Sequence, residues 1–249
     1  LQGPRIAALT PQTVLKPRMA SPLFGSGLLD AVPLSAFASD QDASGRFGWQ
    51  AGTRSVRDQT AKAFSREMGL HSADYPMDDC GDDTACVNAP EGGEPEVSED
   101  FLQALTRFQS LLAVPQADAL DGKAEAEGAR LFRRTGCAAC HLPSLPVEGI
   151  DGIHQIAAYT DLRRHDLGDD LADRRIDGVV VESRWRTAPL WGIAHLPRGG
   201  QPGLLHDGRA RSVEEAILWH AGEADAARAA FMDLSGTRRA QLLDWISRR

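Results

Sequence analysis

Residues 136–141 read Gly136-Cys-Ala-Ala-Cys-His141, and this short stretch carries the strongest signal in the chain. Cys-x-x-Cys-His is the attachment motif of a c-type haem, in which two thiols form thioethers to the haem vinyl groups. The imidazole then takes one axial position on the iron. A zinc site would need two further ligands, and a thioredoxin-like pair would need a βαβ setting. The sequence therefore predicts covalent haem at Cys137 and Cys140, with His141 as an axial ligand.

The other axial position on the iron needs a second side chain or stays open. His220 ends the apolar segment Ala216-Ile-Leu-Trp-His220. A buried imidazole there needs a partner, and iron is a suitable one. Met232 is the alternative ligand and would give a higher reduction potential than histidine. We favour His220, so His141 and His220 are the predicted metal ligands.

Charge and hydropathy narrow the class of protein. The chain has 249 residues and a net charge of −8, which disfavours nucleic acid as a partner. No apolar run approaches the roughly 18 residues that span a bilayer, so no membrane span is predicted.

The two remaining cysteines, Cys80 and Cys86, lie in a polar stretch, where a small disulfide-closed loop is favoured over two free thiols. Covalent haem and a disulfide both indicate an oxidising compartment, which we predict to be a bacterial periplasm. The chain begins without Met or a signal peptide, so we expect a processed or truncated N-terminus.

Helical patterns dominate the chain, which predicts a mainly α fold. Residues 142–211 are rich in Gly, Pro and Asp and read mostly as loop, with one short strand near 179–181. The helix before the haem motif is expected to pack on the last helix of the chain. The predicted helices are residues 55–68, 98–113, 123–134, 212–220 and 236–248.

Two short motifs each occur twice in the chain, a pattern called here the internal echo. Pro22-Leu-Phe-Gly25 resembles Pro189-Leu-Trp-Gly192, and Arg54-Ser-Val56 resembles Arg211-Ser-Val213, in the same order. This predicts two copies of one module, with chance similarity of turn and capping motifs as the alternative. Ala63 then falls opposite His220, and the first copy's haem motif would lie before Leu1.

Several longer stretches resemble one known family. They are Phe47-Gly-Trp-Gln-Ala-Gly, Tyr159-Thr-Asp-Leu with His165-Asp-Leu-Gly, Arg186-Thr-Ala-Pro-Leu-Trp-Gly and Leu205-His-Asp-Gly. With them the chain resembles, over nearly its whole length, the dihaem oxidoreductases of the peroxidase type. These are distantly similar to bacterial cytochrome c peroxidase and MauG.

The resemblance implies two cytochrome c-like haem domains with long irregular loops. Residues 1–116 would form the N-terminal one, incomplete because its haem motif is absent, and residues 117–249 the C-terminal one. The C-terminal haem would relay electrons, and a second haem in the full-length protein would meet hydrogen peroxide or another small oxidant. A periplasmic electron donor or acceptor protein would be the partner. The alternative is a single-haem electron-transfer cytochrome c without catalytic activity.

The same resemblance implies roles for individual residues. Gln59 and Glu67 fall near the peroxidatic positions, although a solvated Glu on an amphipathic helix is the commoner case. Arg186, Trp191 and His206 fall in motifs that cover the haem and are expected to bind it. Trp191 and Trp49 are both candidates for passing electrons, with core packing as the alternative. Relatives also hold calcium between the domains, but the sequence shows no discrete acidic loop for it.

Overall fold

Helices make up most of the regular structure. The computed structural model describes residues 13–36, 45–77, 80, 84–90, 92–174, 179–196 and 203–249. Within these ranges no helix is long and apolar enough to cross a bilayer. The eight described α-helices are α1 (Ser26–Asp30), α2 (Val56–Met68), α3 (Thr84–Val87), α4 (Glu99–Ser110), α5 (Gly122–Arg134), α6 (Val213–Trp219), α7 (Asp225–Met232) and α8 (Gly236–Ile246).

Local capping explains where the longer helices begin and end. The Ser55 hydroxyl accepts a hydrogen bond from the third residue of α2, and Gly69 ends that helix in a left-handed conformation at φ 65°. Ser98 caps α4 in the same way, and the Asp121 carboxylate caps α5. The predicted positions of these helices are therefore confirmed to within a few residues.

Two features of the C-terminal region differ from the predictions. Helix α6 ends at Trp219, so His220 is its C-cap and already has extended backbone angles (φ −67°, ψ 117°). Helix α7 was not predicted. Its N-cap, Ala224, makes no side-chain hydrogen bond, so the sequence has no capping residue from which the start of this helix could be predicted.

The region between the haem motif and α6 is mostly loop, as predicted, and its strands are short. Each strand pairs with one other in an antiparallel ladder. The pairs are β1 (Leu145–Pro146) with β2 (Gln155–Ile156), β3 (Arg164–Asp166) with β6 (Arg184–Arg186), and β4 (Asp173–Arg174) with β5 (Val180–Glu182). The predicted strand near 179–181 corresponds to β5.

The helix that precedes the haem motif packs closely on the last helix. A Cβ placed on Gly128 of α5 would lie 2.2 Å from Cγ of Trp245 on α8, so only glycine allows this approach. The Trp245 indole donates a hydrogen bond to Glu125 on α5 (2.9 Å). Leu131 and Phe132 of α5 join the same buried cluster. The predicted packing of these two helices is confirmed.

The internal echo in the sequence corresponds to reciprocal contacts. Met19 N donates to His206 O (2.8 Å), and Arg186 N donates to Trp49 O (2.8 Å). Met19 and Arg186 occupy matched positions in the two copies, as do Trp49 and His206. Matched antiparallel bridges also join Phe47 to Thr53 and Leu204 to Ala210. Contacts in which i meets j and j meets i are typical of a two-fold relation, here an approximate one within a single chain.

Candidate haem site

A cavity of about 310 Å³ lies beside the Cys-x-x-Cys-His stretch. Its walls are mainly apolar, and they come from distant parts of the chain. These include the motif itself, the segments 185–193 and 203–206, helix α6 with the turn that follows (Glu223 among it), His165 and Leu167, residues 19–22 with Trp49, and residues of α5, α7 and α8. A large apolar cavity with few polar groups suits a flat, apolar cofactor.

The two cysteine pairs are in different chemical states. Cys80 and Cys86 form the predicted disulfide. Cys137 and Cys140 are free thiols, and both line the cavity. Burial raises the pKa of Cys137, which also lies 3.3 Å from the Thr135 hydroxyl. Two unpaired thiols therefore face an apolar cavity, as covalent haem attachment requires.

His141 is held in an orientation suited to a ligand. Its Nδ1 lies 2.9 Å from Tyr159 O, so this nitrogen carries the proton and Nε2 keeps a lone pair. Burial lowers the pKa of His141 to about 4, so the imidazole is neutral near pH 7. A neutral ring whose second nitrogen is tied to a backbone carbonyl is the usual state of a metal-binding histidine.

His220 lines the same cavity and has the same arrangement. Its Nδ1 lies 2.7 Å from Ala216 O, one turn back in α6, and Nε2 is again left for another partner. Burial lowers the pKa of His220 as well. Met232, the alternative ligand, is 53% exposed and does not line the cavity. The geometry thus favours His220.

Arg186 adds a buried positive charge to the cavity wall. Its side chain donates to Gly48 O (2.8 Å) and Thr187 O (3.3 Å), and it forms no ion pair with a carboxylate of the described residues. Burial lowers its pKa to about 10. A buried guanidinium that makes no salt bridge to a carboxylate of the described residues fits the carboxylate of a haem propionate.

His206 and Trp191 also line the cavity. The His206 ring is stacked on Trp185 at a centroid separation of 3.7 Å, and burial lowers its pKa to about 4. Trp49 lines the cavity too and donates its indole N–H to Met19 O (2.6 Å). The cavity thus brings together seven of the predicted site residues: Cys137, Cys140, His141, Arg186, Trp191, His206 and His220.

The two predicted peroxidatic residues lie elsewhere. Glu67 is exposed near the end of α2, and the Gln59 side chain accepts a hydrogen bond from the Thr53 hydroxyl (2.7 Å). Neither lines the cavity. Their catalytic roles stay a prediction of the family resemblance.

One group of potential metal ligands occurs among the described residues, namely Cys140, Asp161 and His165. Calcium prefers six to eight oxygen ligands, so a set with one carboxylate does not suit it. Both nitrogens of His165 already contact carboxylates. His165 and Asp161 lie in stretches that resemble the family, but no sequence pattern predicts a role for either residue.

The apolar cavity unites two free thiols with two imidazoles, and these residues fit a c-type haem. The chain belongs to the family described as "Di-haem oxidoreductase, putative peroxidase", whose model matches residues 38–248. It is thus a haem oxidoreductase by family.

No curated protein matches the chain. Among solved structures it is similar to hydrazine synthase of Kuenenia stuttgartiensis, studied under xenon pressure. That match has 17% identity and a TM-score of 0.41, and it covers 61% of this chain and 56% of the other.

Proposed function

We propose that the chain carries one covalent haem c, attached at Cys137 and Cys140 and ligated by His141 and His220. This haem relays electrons in a periplasmic dihaem oxidoreductase that reduces hydrogen peroxide or another small oxidant, or oxidises a partner. The main support is one arrangement of side chains. The imidazoles of His141 and His220 each bond to a backbone carbonyl through Nδ1, and both line the cavity that the two free thiols also line.

A haem held in this way supplies one-electron transfer. The protein would hold the haem iron through the imidazoles of His141 and His220, which would leave no ligand position for a small molecule. Two neutral histidine ligands favour a lower potential than a histidine–methionine pair. The cavity walls are mainly apolar, and the buried Arg186 guanidinium would pair with a propionate carboxylate of the haem. These features support a relay site rather than the site where an oxidant reacts.

The wider assembly follows from the family. Residues 117–249 form the C-terminal cytochrome c domain in this proposal, and residues 1–116 the N-terminal one. A second haem, carried by the full-length protein, would meet the oxidant, with Gln59 and Glu67 as residues that move protons there. Calcium between the domains and a periplasmic electron donor or acceptor belong to the same proposal.

A second candidate is a single-haem electron carrier. It is favoured by the single Cys-x-x-Cys-His in the sequence and by the exposed position of Glu67, away from the cavity. The haem content of the natural full-length protein separates the two. Two haems, one of them high-spin, support the enzyme, and one low-spin haem supports the carrier.

Covalent attachment is tested by expressing the full chain in a periplasm equipped for cytochrome c maturation. Intact mass and the pyridine haemochrome are expected to show one covalent haem with a low-spin spectrum. The double variant Cys137→Ala/Cys140→Ala is expected to lose the haem. The control, Cys80→Ala/Cys86→Ala, is expected to keep it because that disulfide does not line the cavity. Retention of covalent haem by the first variant would disprove the proposed site.

A further inference from the structure

The segment from Tyr159 to Asp166 is a loop that runs into strand β3 and is called the Tyr159–Asp166 loop; it contacts both sides of the proposed haem site. It has an unusual backbone, since Tyr159 (φ 54°) and Leu162 (φ 58°) are both left-handed without being glycine. Such residues persist only where the surroundings hold them. Leu162 is fully buried, and the buried Thr160 hydroxyl donates to Thr187 O (2.7 Å) and accepts from Leu162 N (2.9 Å). The loop is therefore a fixed element.

Its first contact reaches His141 directly. The Tyr159 carbonyl accepts the hydrogen bond from His141 Nδ1. This bond sets both the tautomer and the rotation of the ring. The carbonyl is presented by a residue in the left-handed region, so the unusual backbone has a direct consequence for His141.

The second contact runs through His165. Its Nε2 lies 2.8 Å from Asp161 Oδ2, and its Nδ1 lies 2.8 Å from Glu223 Oε2. A carboxylate oxygen lies at hydrogen-bond distance from each ring nitrogen, and the hydrogen bond to buried Asp161 raises the pKa of His165. The ring is therefore an imidazolium that donates to both carboxylates.

Glu223 belongs to the turn that directly follows His220. Its side chain is 47% exposed, so water screens the outer side of the ion pair. Its position is nevertheless fixed twice, because Oε1 also accepts from Asp166 N (3.0 Å). Both carboxylate oxygens of Glu223 are thus bound to the loop.

The backbones of the turn and the loop are also in direct contact. A Cβ on Gly222 would lie 2.5 Å from Asp166 O, and one on Gly168 would lie 2.8 Å from the Ala221 Cβ. His220 is bonded to α6 through its backbone N–H, which donates to Ile217 O (3.1 Å), and through Nδ1, but its ψ of 117° takes the chain out of the helix. The turn that follows is seated on residues 166–168, so the chain is also held on the far side of His220.

We propose that the Tyr159–Asp166 loop positions both axial imidazoles, acting on His141 through the Tyr159 carbonyl and on His220 through the His165–Glu223 ion pair. His165 and Glu223 are positioning residues, and neither binds the iron. A metal ion at Cys140, Asp161 and His165 is disfavoured, because it would have to displace a carboxylate from His165 and use a sulfur required for attachment. The inference rests on the proposed ligation by His220.

The test compares Glu223→Ala and Glu223→Gln with Glu214→Gln in the haem-loaded chain. Glu214 is the matched control because it lies on α6, is 44% exposed and has only a distant pairing with Arg239 (4.0 Å). Spin state, reduction potential and carbon monoxide binding to the ferrous form are measured alongside haem content and far-UV circular dichroism.

Glu223→Ala is expected to weaken the His220–iron bond several-fold, because Glu223 acts one step removed from the ligand, whereas loss of a group bonded directly to a metal ligand typically costs about 10- to 100-fold. A high-spin fraction then appears and carbon monoxide binds faster by the same factor, with haem content and helicity unchanged. Glu223→Gln keeps the acceptor for Asp166 N and is expected to show a smaller shift in the same direction. It also serves as the test variant should Glu223→Ala fail to fold.

If both Glu223 variants have the spin state and the carbon monoxide binding of the wild type, the inference is overturned. Failure of the proposed function looks different. In that case the unmodified chain lacks covalent haem, or His220→Ala leaves its low-spin spectrum unchanged.

Discussion

The Phe24 ring packs against Gly192, the residue after Trp191, and the Trp191 ring packs against Gly25, the residue after Phe24. A Cβ on Gly192 would be 2.4 Å from the Phe24 ring, and a Cβ on Gly25 would be 2.6 Å from the Trp191 ring. Phe24 and Trp191 are matched positions of the internal echo, and both glycines are left-handed, at φ 73° and 72°. Each half of the chain therefore supplies the aromatic ring that covers the other half's turn. The Trp191 ring thereby reaches from the cavity wall to the N-terminal half.

Gly192→Ala tests this contact. The added methyl meets the Phe24 ring and the residue must also adopt a positive φ, so we expect the free energy of unfolding to fall by about 2–4 kcal/mol. Gly149→Ala is the matched control because Gly149 has φ 72° and a Cβ added there would meet no atom within 4 Å. It is expected to cost about 1 kcal/mol. Urea unfolding measures both, and equal losses would show that the ring contact contributes nothing.

His220→Ala is expected to convert the haem from low-spin to high-spin, because it removes the imidazole whose Nε2 is proposed to bind the iron. Added imidazole is expected to restore the low-spin spectrum by entering the space left behind. Met232→Leu should leave the spectrum unchanged, since Met232 is on the surface. Ferric absorption and electron paramagnetic resonance report both results. A low-spin His220→Ala protein, or a Met232→Leu protein that turns high-spin, would remove His220 as the ligand.

The parts of the fold that were predicted correctly depend on neighbouring residues. Ser55, Ser98 and Gly69 fix their helix ends through bonds to residues three to five positions away, so the capping pattern was readable. The attachment motif is equally local. The His165–Glu223 pair joins residues 58 positions apart, and no local pattern announces such a contact.

Gln59 and Glu67 show how far a family resemblance can assign site residues. Their place on α2 was predicted correctly, but a helix has several faces and the resemblance did not say which one meets a cofactor. In the structure Gln59 bonds to Thr53 and Glu67 is exposed. Ala63 matches His220 in sequence, yet α2 continues past it to Met68 whereas α6 ends at Trp219. The two copies therefore diverge at the position of the proposed ligand.

Arg186→Leu is expected to lower the reduction potential of the bound haem. A buried positive charge favours the reduced state, and its loss leaves a propionate without a counter-ion. We expect a shift of about 60 mV, a tenfold change in the one-electron equilibrium. Arg174→Leu is the control, because Arg174 is 41% exposed and does not line the cavity. Redox titration measures both variants, and matching potentials would exclude a role for Arg186 at the propionate.

The lowered pKa of His206 predicts that the folded protein loses stability in acid. The residue is buried, stacked on Trp185, and its pKa is lowered by burial from 6.5 to about 4. Above pH 6.5 the ring is neutral in both the folded and the unfolded chain, so its contribution is fully present. Between pH 6.5 and 4 the unfolded chain binds a proton that the folded one does not, and stability falls by up to about 3 kcal/mol.

His206→Phe keeps a ring on Trp185 and cannot bind the proton. As the pH falls from 6.5 to 4, the unfolding free energy of the wild type is therefore expected to fall relative to that of the variant. The comparison cancels the other histidines, including His141, because both proteins contain them. Urea titrations at half-unit pH steps measure the difference. A constant difference across this range would show that the His206 ring is protonated equally in the folded and unfolded chains.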